Sequence, residues 1–126
     1  MKRTLFATVT MILVLAGLAA AQSADEDYLK AMQISDKCQQ VQALDSWIAK
    51  YGGQGTANEH WAYAYYCLTP CASKNMQKAA EAGEKALGME GLDAQTKIGL
   101  LATIPALYDQ AGLKEKANAA ANKLIE

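Results

Sequence analysis

From Asp25 onward the apolar positions of the chain recur at steps of three and four, the period of a helix face, and not at the two-residue step of a strand. Tyr28, Ala31, Met32 and Ser35 share one face of a first helix, which the acids Asp25, Glu26 and Asp27 open at the positive end of its dipole. Asp36 and Gln39 form a capping box for a second helix, whose inner stripe is Val41, Leu44, Ile48 and Tyr51 and which Gly52, Gly53 and Gly55 end. A third helix, from about Ala57 to Leu68, places Trp61, Ala64, Tyr65 and Leu68 on one face and Tyr63 and Tyr66 on the other, so it is expected to be central. Pro70 stops it, and Ser73 is expected to cap a fourth helix that turns Met76, Ala79, Ala80, Gly83 and Leu87 inward and pairs Glu81 with Lys85 outside. Asp93 caps the fifth, where Leu101, Ile104, Pro105 and Tyr108 share a face and Pro105 predicts a kink or a fresh start near Thr103. Beyond Gly112, Ala117, Ala121 and Leu124 mark a sixth helix with Lys114, Glu115, Asn118, Asn122 and Lys123 outside. The chain is therefore expected to be all-α, with about six helices.

These helices repeat in pairs. From Tyr28, and again from Leu101, apolar or small residues stand at steps of 3, 4, 7, 16, 20 and 23. From Trp61 the same steps hold for Ala64, Tyr65 and Leu68, and two extra residues near Pro70 are needed to reach Ala79, Gly83 and Ala86, which puts the unit starts 33 and 40 residues apart. One short helix pair cannot bury its own apolar face, so such units stack. With these steps the chain resembles the tetratricopeptide repeat family over essentially everything after residue 21, most closely in the third hairpin, where Gly112 follows Tyr108 and Ala117 and Ala121 lie behind it. The resemblance implies three antiparallel helical hairpins stacked as a right-handed α-superhelix that binds a peptide or protein on its inner, first-helix surface. With Trp61, Ala64, Tyr65 and Leu68 turned to the core, Glu59, Ala62, Tyr66 and Thr69 line another side of the third helix, and the matching steps on the fifth give Gly99, Ala102, Ala106 and Asp109. The resemblance makes that side the concave groove, with Tyr66 as its anchor.

Lys2 and Arg3, the uncharged run Leu5 to Ala21 and the small residues Ala19, Ala20 and Ala21 read as a secretory signal peptide over residues 1–21, leaving a helical domain over 22–126. Cleavage is expected after Ala21, or before Ala24; an uncleaved anchor is the alternative. The expected location is secreted or periplasmic, with no membrane contact once the signal is removed. Taking away those two cations leaves ten lysines against thirteen acids, a formal charge of −3, and neither arginine nor phenylalanine in the remainder. That composition argues against nucleic acid as a partner.

Three cysteines in an exported chain allow one disulfide. The second and third helices reverse near Gln54, with Cys38 16 residues before it and Cys67 and Cys71 13 and 17 after, so Cys38 is expected to bond to Cys67 or Cys71. A local Cys67 to Cys71 bridge and three buried thiols are the alternatives. Cys67 and Cys71 enclose three residues at a helix end, unlike the two at a helix start used by thiol oxidoreductases, and Ala72 stands where haem attachment needs histidine. His60 and Cys67 stand seven residues apart on one helix, about 10 Å, too far to share a zinc ion. No catalytic residue, metal ligand or cofactor is assigned. Two readings remain: a non-enzymatic exported scaffold for a peptide or protein partner, and a thiol-active or enzyme-associated periplasmic factor using Cys67 and Cys71.

Overall fold

The computed structural model describes residues 22–69, 71 and 75–124, so the expected signal segment, Pro70 and the expected Ser73 cap lie outside the described residues. Among those residues there are six helices and no strand: α1 (residues 22–32), α2 (Lys37–Tyr51), α3 (Glu59–Leu68), α4 (Met76–Leu87), α5 (Ala94–Gln110) and α6 (Lys114–Asn122). Local chemistry explains most of the boundaries. The carboxylates of Asp36 and Asp93 accept hydrogen bonds from the Gln39 and Thr96 amides at 2.9 and 2.6 Å, satisfying donors left open at a helix start. Asn75 does the same for Lys78 at 3.1 Å and caps α4. Pro105 neither breaks nor restarts α5, which runs unbroken for 17 residues.

Neighbouring helices pack in opposite chain directions. Trp47 Nε1 donates to the Ala24 carbonyl at 2.8 Å and Gln40 Nε2 to the Met32 carbonyl at 3.3 Å, which pairs the start of α1 with the end of α2. Lys85 lies 5.5 Å from the Tyr63 ring while Gly83 meets Cys67, and Lys116 lies 5.6 Å from the Tyr108 ring, which pairs α3 with α4 and α5 with α6 in the same opposed sense.

A second set of contacts joins helices two apart. Asp25 accepts from Asn58 at 3.0 Å, Cys38 is bonded to Cys71, and Asp45 pairs with Lys78, each over a separation of 33 residues. His60 against Gly91, Leu68 against Gly99 and Glu81 with Lys116 continue the series at nearly the same separation. Helices α1, α3 and α5 therefore form one layer and α2, α4 and α6 the other. The even series of contacts replaces the uneven unit spacing expected from the apolar steps.

The core lies between the layers. Tyr28, Leu44, Trp47, Tyr51, Ala62, Tyr63, Ala64, Tyr66, Cys67, Ala79, Ala80, Leu100, Ile104, Leu107 and Tyr108 are all buried. Small residues let α4 approach both partners, since a Cβ on Gly83 would lie 2.7 Å from Cys67 Sγ and 2.9 Å from Ile104 Cγ1. Two expectations need correction. Trp47, not Ile48, is the deepest part of the α2 stripe at its C-terminal end. Glu81 binds Lys116 at 3.7 Å and Lys85 covers Tyr63, so those two do not form the expected pair.

Candidate functional site

Helix α3 determines what the first-helix layer offers. Its ten residues include four aromatic side chains, not counting His60, and they divide between two faces. Tyr63 and Tyr66 are buried toward α4, whereas His60, Trp61, Tyr65 and Leu68 are half-exposed on the opposite side. Trp61 and Tyr65, one turn apart, stack with ring centroids 5.6 Å apart and planes inclined by 20°. The His60 ring lies 5.1 Å from Trp61. This strip runs between α1 and α5, which carry two of the most exposed large apolar side chains, Leu29 at 57% and Ile98 at 65%.

The groove expected from the sequence is therefore not one surface. Glu59, Ala62, Tyr66 and Thr69 are all buried, while Ala102, Ala106 and Asp109 are exposed on α5. Gly99, half-buried, meets Leu68, so the α5 residues adjoin the Trp61 face and not the Tyr66 face. Tyr66 instead floors a pair of clefts of about 170 and 160 Å³ between α2 and α4, beneath the Asp45–Lys78 pair. Burial raises its phenol above the ordinary range.

Glu59 has a structural task that the sequence reading missed. Its carboxylate accepts from the Gly53 amide and, at 3.1 Å, from the Gly55 amide. Both glycines have positive φ, 82° and 71°, so their amides turn inward to an acceptor that side-chain-bearing residues would present only under strain. A lone acid opening an aromatic helix just after a glycine-rich turn was the available signal.

The polar tips of the aromatic residues separate core from surface. Buried Trp47, Tyr51 and Tyr108 donate to the Ala24 carbonyl, Asp27 at 2.6 Å and Glu84 at 2.8 Å. Trp61 and Tyr65 are partly buried and pack against the core cluster, and neither tip is among the buried polar atoms left without a partner. Tyr28 forms the buried wall beside Tyr65; burial first, and Tyr65 second, push its phenol up to about 12.

The cysteines resolve into one bond and one inert thiol. Cys38 is bonded to Cys71 with Cα atoms 4.9 Å apart. Cys67 is free and buried, and burial pushes its thiol up to about 12. Reactive thiols need the reverse, exposure and a lowered pKa. Among the described residues no group of three or more histidine, cysteine or acidic side chains is placed to hold a metal ion, and no helix is long and apolar enough to cross a membrane. No family model, characterised protein or solved structure matches the chain.

Proposed function

We propose that the chain is an exported, non-enzymatic scaffold of tetratricopeptide-like construction that holds a peptide or protein partner against the layer formed by α1, α3 and α5. The observation that carries this reading is the Trp61–Tyr65 stack, two large rings left half-exposed on the helix whose other face is the centre of the core. Partly exposed tryptophan and tyrosine side chains are over-represented among the residues that dominate protein interfaces, because they bring large area with little side-chain entropy to lose. Contacts at a separation of 33 residues between the first and second hairpins, and of 31 and 35 between the second and third, support the repeat construction. The disulfide fits an oxidising compartment and so agrees with export. Three hairpins offer a short surface, so binding is expected in the micromolar class.

Site-specific photocrosslinking in the producing cell tests the reading. A photoreactive side chain at Ala102 or Leu29, both on the first-helix layer, should capture a polypeptide, whereas one at Gln42 on α2 or Asn118 on α6 should not. Adducts confined to α2 and α6 would overturn the assignment of the face.

A further inference from the structure

The clefts between α2 and α4 hold a hydrogen-bond donor that the fold leaves unused. Tyr66 is 5% exposed and lines both, one beside Val41 and the Cys38–Cys71 bond, the other beside Ile48 and Ala82. Its phenol feels the charges of both Asp45 and Lys78, which places the hydroxyl near the bridge that spans the two clefts. Among the described residues that hydroxyl makes no hydrogen bond, whereas those of buried Tyr51 and Tyr108 donate to Asp27 and Glu84. It is not sealed either, since the Thr56 hydroxyl alone among the described side chains is buried without a partner. An almost wholly buried side chain therefore ends in a donor that opens into a cavity.

The charges around that cavity are unevenly matched. Its acids are taken: Asp45 pairs with Lys78, while Glu81 accepts from Gln77 at 2.9 Å and pairs with Lys116 at 3.7 Å. Lys85 is not, because among the described residues no carboxylate stands within ion-pair distance of it. Its ammonium lies 5.5 Å from the Tyr63 ring, and both residues line the cleft that holds Ile48 and Ala82. The capacity left over is that of a phenol and an ammonium group, both donors, and such a set takes an anion. Burial raises the Tyr66 phenol, so its proton is present to be donated at neutral pH. A cationic ligand would instead have to displace Lys78 or Lys116 from its acid. Clefts of about 170 and 160 Å³ stand at the lower end of small-molecule sites, so the occupant is compact.

We infer that the cleft between α2 and α4 binds a small organic carboxylate, its oxygens accepting from the Tyr66 hydroxyl and pairing with Lys85, and its short apolar tail lying along Ile48 and Ala82. The site is on the layer opposite the Trp61 face, so it stands or falls independently of the scaffold reading. The probe is hexanoate, titrated into the full disulfide-bonded protein while amide NMR shifts are followed, with hexylammonium and hexanol as its cationic and neutral counterparts. Saturable binding in the millimolar range is expected for so few atoms, with the shifts centred on Ile48, Tyr66, Ala82 and Lys85. Tyr66→Phe should weaken hexanoate about fivefold or more without lowering the melting temperature, because the hydroxyl it removes has no partner in the fold. Lys85→Gln, at the surface and outside the core packing, should weaken it about threefold, and Lys85→Glu should abolish it. Hexylammonium or hexanol binding as tightly as hexanoate, shifts centred on α1 and α5, or no saturation by about 50 mM would each overturn the inference. So would a Tyr66→Phe protein or a Lys85→Glu protein that binds hexanoate as the parent does.

Discussion

Gly83 is the tightest point in the structure, wedged where α4 meets α3 and α5. An added methyl group would lie 2.7 Å from Cys67 Sγ and 2.9 Å from Ile104 Cγ1, and neither neighbour is a flexible chain end. Gly83→Ala is therefore expected to lower stability by about 1 to 3 kcal/mol through overpacking, despite the better helix propensity of alanine, and a urea midpoint measures it. Tyr66, expected from the sequence to anchor a partner, is 5% exposed, so Tyr66→Ala should act on the same midpoint by about 3 kcal/mol or more. Asp27 contributes to the acid limb of stability. The Tyr51 hydroxyl first, then Lys50 and Lys30, hold its carboxyl below the ordinary value, so the folded chain binds that proton more weakly than the unfolded chain. Its stabilising effect is complete above about pH 4 and is lost as pH falls through the lowered value. Tyr51→Phe should flatten that limb, seen as a smaller spread of urea midpoints between about pH 5 and pH 2.

At the scale of the element, capping was the most legible feature and face assignment the least. Asp36 and Asp93 could be read as caps because a cap involves residues within one turn, and both carboxylates bond where expected. Helix α3 defeated the apolar period because Trp61, Tyr63, Tyr65 and Tyr66 leave no polar stripe to contrast with: on the expected core face only Ala64 is fully buried, Trp61, Tyr65 and Leu68 are partly buried against the core, and Tyr63 and Tyr66 on the other face are buried more deeply. Burial of Glu59 was invisible for a related reason: an acid at a helix start ordinarily faces water, and only the inward amides of Gly53 and Gly55 hold it in. Glu59→Ala should accordingly cost about 2 kcal/mol or more, by leaving those amides unpaired and by loosening the α2–α3 turn. The cysteine geometry was legible to within one helical turn. Opposed helices bring Cys38 to the end of α3, and the choice of Cys71 over Cys67 follows from Cys67 facing Gly83 and the core. Without reductant, the native protein should give no fast thiol reaction at pH 8 and one equivalent after unfolding, with a second and third appearing on reduction.

For the whole molecule, the two-layer arrangement is the part that pairwise sequence steps could only suggest. The third unit was set too late because Leu101 was taken as its start, whereas α5 begins nearly two turns earlier at Ala94. Layering also makes the two tryptophans unequal: Trp47 is 3% exposed and bonded to Ala24, while Trp61 is only partly buried. Acrylamide should quench Trp61 strongly and Trp47 weakly, resolved by comparing Trp61→Phe with the parent protein. The bond between Cys38 and Cys71 spans 33 residues and fastens the beginning of α2 to the chain just past α3. Removing it should lower stability by about 3 to 4 kcal/mol in the chain-entropy view. Under tension applied at the two ends, the same bond becomes a shortcut in the load path. Force crosses from Cys38 to Cys71 and leaves the chain of α2 and α3 between them slack, so α1 and the helices from α4 to α6 carry the load. A single oxidised molecule stretched to its limit should end about 110 Å shorter than a reduced one.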